Sequence, residues 1–317
     1  MKIWFEKLPL IGVATLLVGA LLFLIGFSIA GFDIRALGNI QIVEKSYEEN
    51  TDNPITNLSL DMDTTDIKLV FDDSLTGVKM QYPQKQNKRG KNINTVTVAE
   101  TENTLTVKET ENFTPSIFNF TSATLTLRLP TVRTYDLTIK TATGDIVIPQ
   151  GDFNSLSLKA TTGDITLSNA KANDLNINVT TGDVRMQSVS VNGEALIETT
   201  TGDITLSNAI IAENLSITVT TGDVKISETL TAKTLSVQTT TGDLKGKTAF
   251  IDAEKINIST TTGEVTAKLI GAYTDYSVSV KTRTGDSNIG TNLDYTQNAP
   301  RSLTVKTTTG DIKIYFA

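Results

Sequence analysis

One tripeptide governs what this chain can fold into. Thr-Gly-Asp, or Thr-Gly-Glu in a single copy, recurs with its glycine at Gly144, Gly163, Gly182, Gly202, Gly222, Gly242, Gly263, Gly285 and Gly310. The intervals are 19, 19, 20, 20, 20, 21, 22 and 25 residues, so the unit lengthens toward the C-terminus. Self-similarity at a fixed period of this size marks a repeat architecture, in which each unit needs its neighbours to bury a core.

The flanks of the tripeptide define the unit. Seven residues before each glycine stand Leu137, Leu156, Leu175, Ala195, Leu215, Leu235, Ile256, Val278 and Leu303, and five before it stand Ile139, Leu158, Ile177, Ile197, Ile217, Val237, Ile258, Val280 and Val305. Two positions after it the apolar set resumes as Ile146, Ile165, Val184, Ile204, Val224, Leu244, Val265 and Ile312, with Ser287 the exception. Apolar and polar residues alternating on both sides predict two short strands, each with one buried and one solvated face, meeting at a glycine corner. So few small apolar positions per unit cannot enclose a core of their own, which argues against a row of independent hairpins. Stacked coils solve the problem, each hydrogen-bonded to the next at about 4.8 Å. The expected fold is all-β: a parallel β-helix (β-solenoid) of about nine to ten coils, right-handed by the general crossover rule.

Thr143, Thr162, Thr181, Thr201, Thr221, Thr241, Thr262, Thr284 and Thr309 precede the glycines, and β-branched threonine suits a strand end. After the glycines come Asp145, Asp164, Asp183, Asp203, Asp223, Asp243, Glu264, Asp286 and Asp311. In stacked coils these like charges lie one above another and repel by about 0.9 kcal/mol per neighbour in bulk water. Two devices can offset that. An Asp in a turn can accept its own local backbone N–H groups, or the row can hold a cation, with Asp164, Asp183, Asp203, Asp223 and Asp243 the candidate calcium ligands. Calcium wants six to eight oxygens, and one carboxylate per unit is a thin supply.

Composition removes most chemistry. The chain has no Cys and no His, which excludes thiolate metal sites, disulfides, Cys nucleophiles and the commonest general base near neutral pH. No catalytic residues and no cofactor beyond a possible calcium follow from the pattern, so the chain reads as a non-enzyme. A net charge of -7 argues against nucleic acid as a partner and favours cations or cationic peptides.

The N-terminus sets the compartment. Leu8 to Ala30 is a run of 23 uncharged, largely apolar residues, long enough as a helix to cross a hydrocarbon core of about 30 Å. Lys2 and Lys7 precede it while Asp33 and Arg35 follow, so the positive-inside tendency keeps residues 1–7 cytoplasmic and sends the body outside. Ser28-Ile29-Ala30 also resembles a signal-peptide cleavage site, although the apolar run is long for one. Either alternative exports the body. Residues 31–57, polar and with Pro54, are expected to be a linker.

Residues 58–130 are expected to form a β entry module that shields the first coil, ahead of the repeats at 131–317. Leu58 to Val70 looks like a degenerate unit with Thr65-Asp66 in place of the tripeptide, and further alternating strands are predicted at Val78–Tyr82, Thr95–Val98, Thr104–Val107 and Leu125–Leu129. Lys85, Lys88, Arg89 and Lys91 form the one basic cluster legible in the sequence, read as a solvated hairpin tip or a contact for anionic wall polymer or lipid headgroups.

From Leu58 through the Thr-Gly-Asp units the chain resembles a bacterial family of unknown function, the "putative adhesin" proteins built from β-strand repeats, often behind a membrane anchor. That resemblance implies a surface role in adhesion or envelope-stress response and supplies no catalytic residues. The expected function is a cell-surface, membrane-anchored binding module for a glycan, protein or cationic peptide. The alternative is an envelope-stress component that sequesters cationic peptides. A third and weaker alternative is a polysaccharide-acting β-helix enzyme, whose cleft would fall at the longest excursion, Asn288 to Arg301.

Overall fold

The computed structural model describes residues 40–50, 53–87, 89–112, 123–289 and 299–317. The anticipated spanning segment at 8–30 lies outside them; among the described residues no helix is long and apolar enough to cross a membrane. The rest is one continuous β structure, interrupted by a single 3-10 turn at Tyr273–Asp275.

The units stack in parallel, as the alternation requires. Leu156 lies beside Leu137 on one neighbouring coil and Leu175 on the other, and beyond the corner Ile165 lies between Ile146 and Val184. The ladder continues through Ala195, Leu215, Leu235 and Ile256. These inward residues are buried and form one contiguous core. A solenoid of stacked coils is thus the architecture.

Each corner explains its glycine. The carbonyl oxygen of Gly202 stands 2.1 Å from where a Cβ on Gly222 would be, and φ at Gly222 is +142°. Both conditions exclude any side chain. Gly163, Gly182, Gly202, Gly242, Gly263 and Gly310 repeat this approach to within 0.2 Å. Some inward threonines cap the corner carbonyls: Thr199 Oγ1 donates to Gly182, Thr260 to Gly242 and Thr307 to Gly263, each at 3.4 Å.

A second corner follows six residues after the glycine. Asn169, Ser188, Asn208 and Glu228 occupy it with φ between 44° and 60°. Asn tolerates this left-handed region and Glu does not.

The stack departs from sequence order at both ends. At the N-terminal end, β1 (Ile40–Glu48), β2 (Asn57–Met62), β3 (Asp66–Asp72), β4 (Lys79–Asn87), β5 (Asn94–Thr101), β6 (Thr104–Glu111), β7 (Thr124–Pro130), β8 (Tyr135–Thr143) and β9 (Ile146–Ile148) interleave. The β2–β3 coil, with its Thr65-Asp66 corner, sits between the Gly144 coil of β8 and β9 on one side and β6 and β7 on the other. Antiparallel strands then close this end, with β5 on β6, β4 on β7 and β1 on β4. One expectation changes. Residues 31–57 are not wholly linker, because β1 pairs along its full length with β4; as an outer strand it is half-solvated on both faces, so its alternation is weak. The degenerate unit expected at Leu58 to Val70 is present as the β2–β3 coil, which lies on the Gly144 coil and continues the ladder of the repeats.

At the C-terminal end the Gly310 coil, last in sequence, inserts between the Gly263 and Gly285 coils. Ile256 pairs with Leu303, and Leu303 in turn with Val278. The anticipated one-after-the-next stacking fails here because the chain runs out to the end coil at Gly285 and returns inward. That return is the 25-residue interval. It also explains Ser287, an exposed polar residue at an inward position of a coil with no further described neighbour.

Three substitutions test these constraints. Gly222→Ala should lose on the order of 3–5 kcal/mol, as steric conflict at a tightly packed backbone implies, whereas exposed Thr220→Ala should stay within about 0.5 kcal/mol. Glu228→Asn should gain about 0.5–1 kcal/mol by relieving left-handed strain. Chemical denaturation measures all three; equal midpoints for Gly222→Ala and the parent would contradict the corner geometry.

Candidate functional site

The feature repeated on every coil is the corner itself. Because the strand turns there, the two residues before the glycine both face solvent. Thr161, Thr180, Thr200, Thr220, Thr240, Thr261 and Thr308 form one exposed row, and the threonines from Thr143 to Thr309 that precede the glycines form a second beside it.

The carboxylates run alongside, bonded in a way the sequence did not suggest. Each Oδ1 accepts the backbone N–H of the neighbouring coil's Asp and not that of its own turn. Asp164 N donates to Asp145, Asp183 N to Asp164, Asp203 N to Asp183, Asp223 N to Asp203 and Asp243 N to Asp223, all at 2.8 Å. The reason is the coil-to-coil ladder. The corner's other N–H groups already serve it, as Gly163 N to Thr181 O at 3.0 Å and Ile165 N to Asp183 O at 2.9 Å. Only the Asp N–H points the opposite way, and the preceding coil's carboxylate meets it.

The second oxygen faces outward, where cations three positions after the glycine bridge successive coils. Arg185 holds Asp164 at 2.8 Å and Asp183 at 2.7 Å. Lys245 joins Asp223 and Asp243, and Lys313 joins Glu264 at 2.7 Å and Asp311 at 3.8 Å. The repulsion anticipated along the row is offset by N–H donors and by these clamps. Glu264, one methylene longer, accepts Lys313 and Thr266 Oγ1 at 3.2 Å.

These bonds shift the acids. Burial pushes the Asp164 carboxyl up, but the Asp183 N–H and the Arg185 guanidinium outweigh it and hold the group below the usual carboxylate range. Asp223 is lowered in the same way, burial being overcome by the Asp243 N–H and Lys245. The five calcium candidates thus stand in one row with an oxygen each committed to backbone. Among the described residues no group of three or more acidic side chains is placed to hold a metal ion.

The basic cluster of the sequence is divided. Lys85 points inward from β4, 3% exposed, with Nζ 3.0 Å from the Thr64 carbonyl and 3.3 Å from Glu109 Oε1. Glu109, also buried, accepts Asn94 Nδ2 at 2.7 Å and the N–H groups of Asp63 and Thr64. Burial raises its pKa, and Asn94, Lys85 and the Thr64 N–H together bring it below the usual value. Arg89 and Lys91 remain exposed in a turn built on Asn87 Oδ1, while Lys88 lies outside the described residues. Charge in a polar stretch gave no sign that one lysine served an internal ion pair. Asn288 and Arg301 flank the return from the end coil, and 290–298 lie outside the described residues. Surface grooves are shallow, as between Ser155, Asp174, Asn176 and Glu194, about 300 Å³.

A parallel solenoid with threonine and carboxylate ladders along its corners defines the structural class. The chain belongs to the Toastrack DUF4097 family, whose model matches residues 55–247 and 148–315. A crystal structure of a "putative adhesin" from Bacteroides fragilis is similar, at 14% identity and a TM-score of 0.44 over 86% of this chain and 97% of that one. A "putative lipid binding protein" from Parabacteroides distasonis aligns at 12% identity and 0.41 over 86% and 96%. A "putative cell adhesion protein" from Clostridium sporogenes aligns at 11% and 0.21 over 87% and 100%. Scores below 0.5 leave all three as distant likenesses. None of the curated proteins matches the chain.

The ladder makes a sign-specific prediction. Asp203→Asn keeps the Oδ1 acceptor and should be near neutral, while Asp203→Ala strands the Asp223 N–H and should cost about 1 kcal/mol. Because the Asp164 and Asp223 pKa values are lowered on folding, their contribution is complete above the unfolded carboxylate range and is lost as pH falls through the folded values. Melting temperature followed from pH 7 to pH 2 should therefore decline on the acid side, and less steeply in Asp164→Asn/Asp223→Asn.

Proposed function

We propose that this chain is a non-catalytic, cell-surface binding module of adhesin type, displayed outside the cell by Leu8–Ala30 as a single-pass anchor with a cytoplasmic N-terminus. The observation that carries it is the continuity of the exposed corner: two threonine rows and a carboxylate row, repeated coil after coil. Such a surface offers many equivalent weak contacts to an extended partner, a glycan or protein, through multivalency. Lipid-bilayer contact comes through the anchor, and nucleic acid is not a partner. The coil is taken as right-handed, by the crossover rule.

A second function, sequestering cationic peptides, is favoured by one observation. Among the described residues Asp145 and Asp203 lack the cation clamps that their neighbours carry. No cofactor is proposed; calcium along the Asp164 to Asp243 row is the weaker reading, because no three acidic side chains among the described residues are placed to hold a metal ion.

Cells deleted for the chain separate the two. Loss of attachment with normal peptide sensitivity, restored by the full chain, is the expected outcome; peptide hypersensitivity with normal attachment would transfer the role to sequestration. Repeating attachment under calcium chelation tests the cation, and a drop there would assign it to the row.

A further inference from the structure

Stacking assembles a second basic group that no stretch of sequence displays. Three positions after the glycine, Lys225, Lys245, Thr266 and Lys313 lie side by side on successive coils. Five positions after it the same coils carry Ser227, Lys247, Lys268 and Tyr315. Nearer the N-terminal end these columns hold Val147, Thr166 and Thr205, and Ser168, Gln187 and Ser207, with Arg185 the cation. Residues 243–317 contain nine Lys and Arg against eight Asp and Glu, close to balance in a chain whose net charge is -7. The acidic excess of the chain is thus absent at this end, and the lysines of these columns gather on one strand face.

The lysines divide by what holds them. Lys245 and Lys313 are engaged by the corner carboxylates. Lys225, Lys247 and Lys268 have no carboxylate in ion-pair reach among the described residues. Lys268 Nζ instead lies 4.1 Å over the Phe250 ring and Lys247 Nζ 5.7 Å over Tyr315. The two rings, 43% and 38% exposed, are among the large apolar side chains this protein leaves in water. Cation–π contact of this kind fixes a flexible ammonium group over a flat face while leaving its charge unneutralised.

We propose that this face is a docking surface for a linear, phosphate-bearing polymer without nucleobases, lying along the solenoid axis; the rings that could stack on bases are already engaged by ammonium groups. The columns run along that axis at about 4.8 Å per coil, so an extended polyanion meets successive ammonium groups, and lysine binds phosphate as a compact point charge. Release of counterions from the polymer supplies the driving force. A bilayer fits less well, because rings that anchor in a membrane project into it, whereas Phe250 and Tyr315 lie beneath ammonium groups. The proposal rests on the binding-module function above and names the chemistry of one partner.

The test uses the full chain in phosphatidylcholine nanodiscs, titrated with inorganic polyphosphate by calorimetry. Binding should be saturable, weaken as salt rises, fall about tenfold or more in Lys247→Gln/Lys268→Gln, and persist in Lys247→Arg/Lys268→Arg. Lys159→Gln/Lys171→Gln, on exposed lysines elsewhere, should bind as the parent does. Circular dichroism melts should coincide for all four. Equal affinity in the two glutamine variants overturns the proposal, as does cosedimentation with phosphatidylglycerol vesicles in place of polyphosphate binding. A chain that ignores polyphosphate but still supports cell attachment defeats this proposal alone, whereas loss of the attachment role defeats the function it rests on.

Discussion

Everything in the stack depends on how closely one backbone can approach the next at the corner. A glycine carbonyl turned toward the neighbouring coil occupies, at 1.9–2.4 Å, the space a Cβ would need. With no side chain present the coils close to hydrogen-bonding distance, and Gly N and the N–H two residues on both reach the next coil. Register follows from this contact. A slip of one residue would bring a side chain against that carbonyl and turn every inward Leu, Ile and Val to solvent.

The carboxylate row is a consequence of the same geometry. Closing the coils leaves one corner N–H directed backward, and a short acidic side chain on the preceding coil is the group that reaches it. Stacking then brings like charges together, and cations two residues further on restore balance where Arg185, Lys245 and Lys313 stand. Past those clamps the columns continue into Lys247 and Lys268, whose ammonium groups have rings for neighbours. Internal electrostatics and the surface offered to a partner are thus built from adjacent positions of one repeat.

Both ends solve the problem of an exposed last coil by the same topological device. The first coil and the last coil of the sequence lie inside the stack, each flanked by a coil from elsewhere in the chain. Free ends fray, and a terminal coil paired on both edges is held against it. The N-terminal end is further closed by antiparallel strands and by the Lys85–Glu109 pair, an internal charge made tolerable by Asn94 and the Thr64 N–H. At the other end the outermost coil carries Arg283 and Ser287 where the repeat has Thr and an aliphatic residue, which discourages further strand addition.

Alternation around Thr-Gly-Asp determined the strands, the inward residues and the parallel stack, because side-chain period and backbone sterics are local properties that a linear pattern records. The entry strands and the degenerate corner at Thr65-Asp66 were legible for the same reason. What only the tertiary structure decided was adjacency: that the Gly310 coil sits inside the Gly285 coil, that Asp carboxylates bond the neighbouring coil, that Lys85 is internal, and that Lys247 and Lys268 join Phe250 and Tyr315. Each of these relates residues on different coils or across a crossover, about a full turn or more apart in sequence. Their proximity is set by which coils meet in space, a choice that the repeating sequence leaves open because equivalent units can pair equally well.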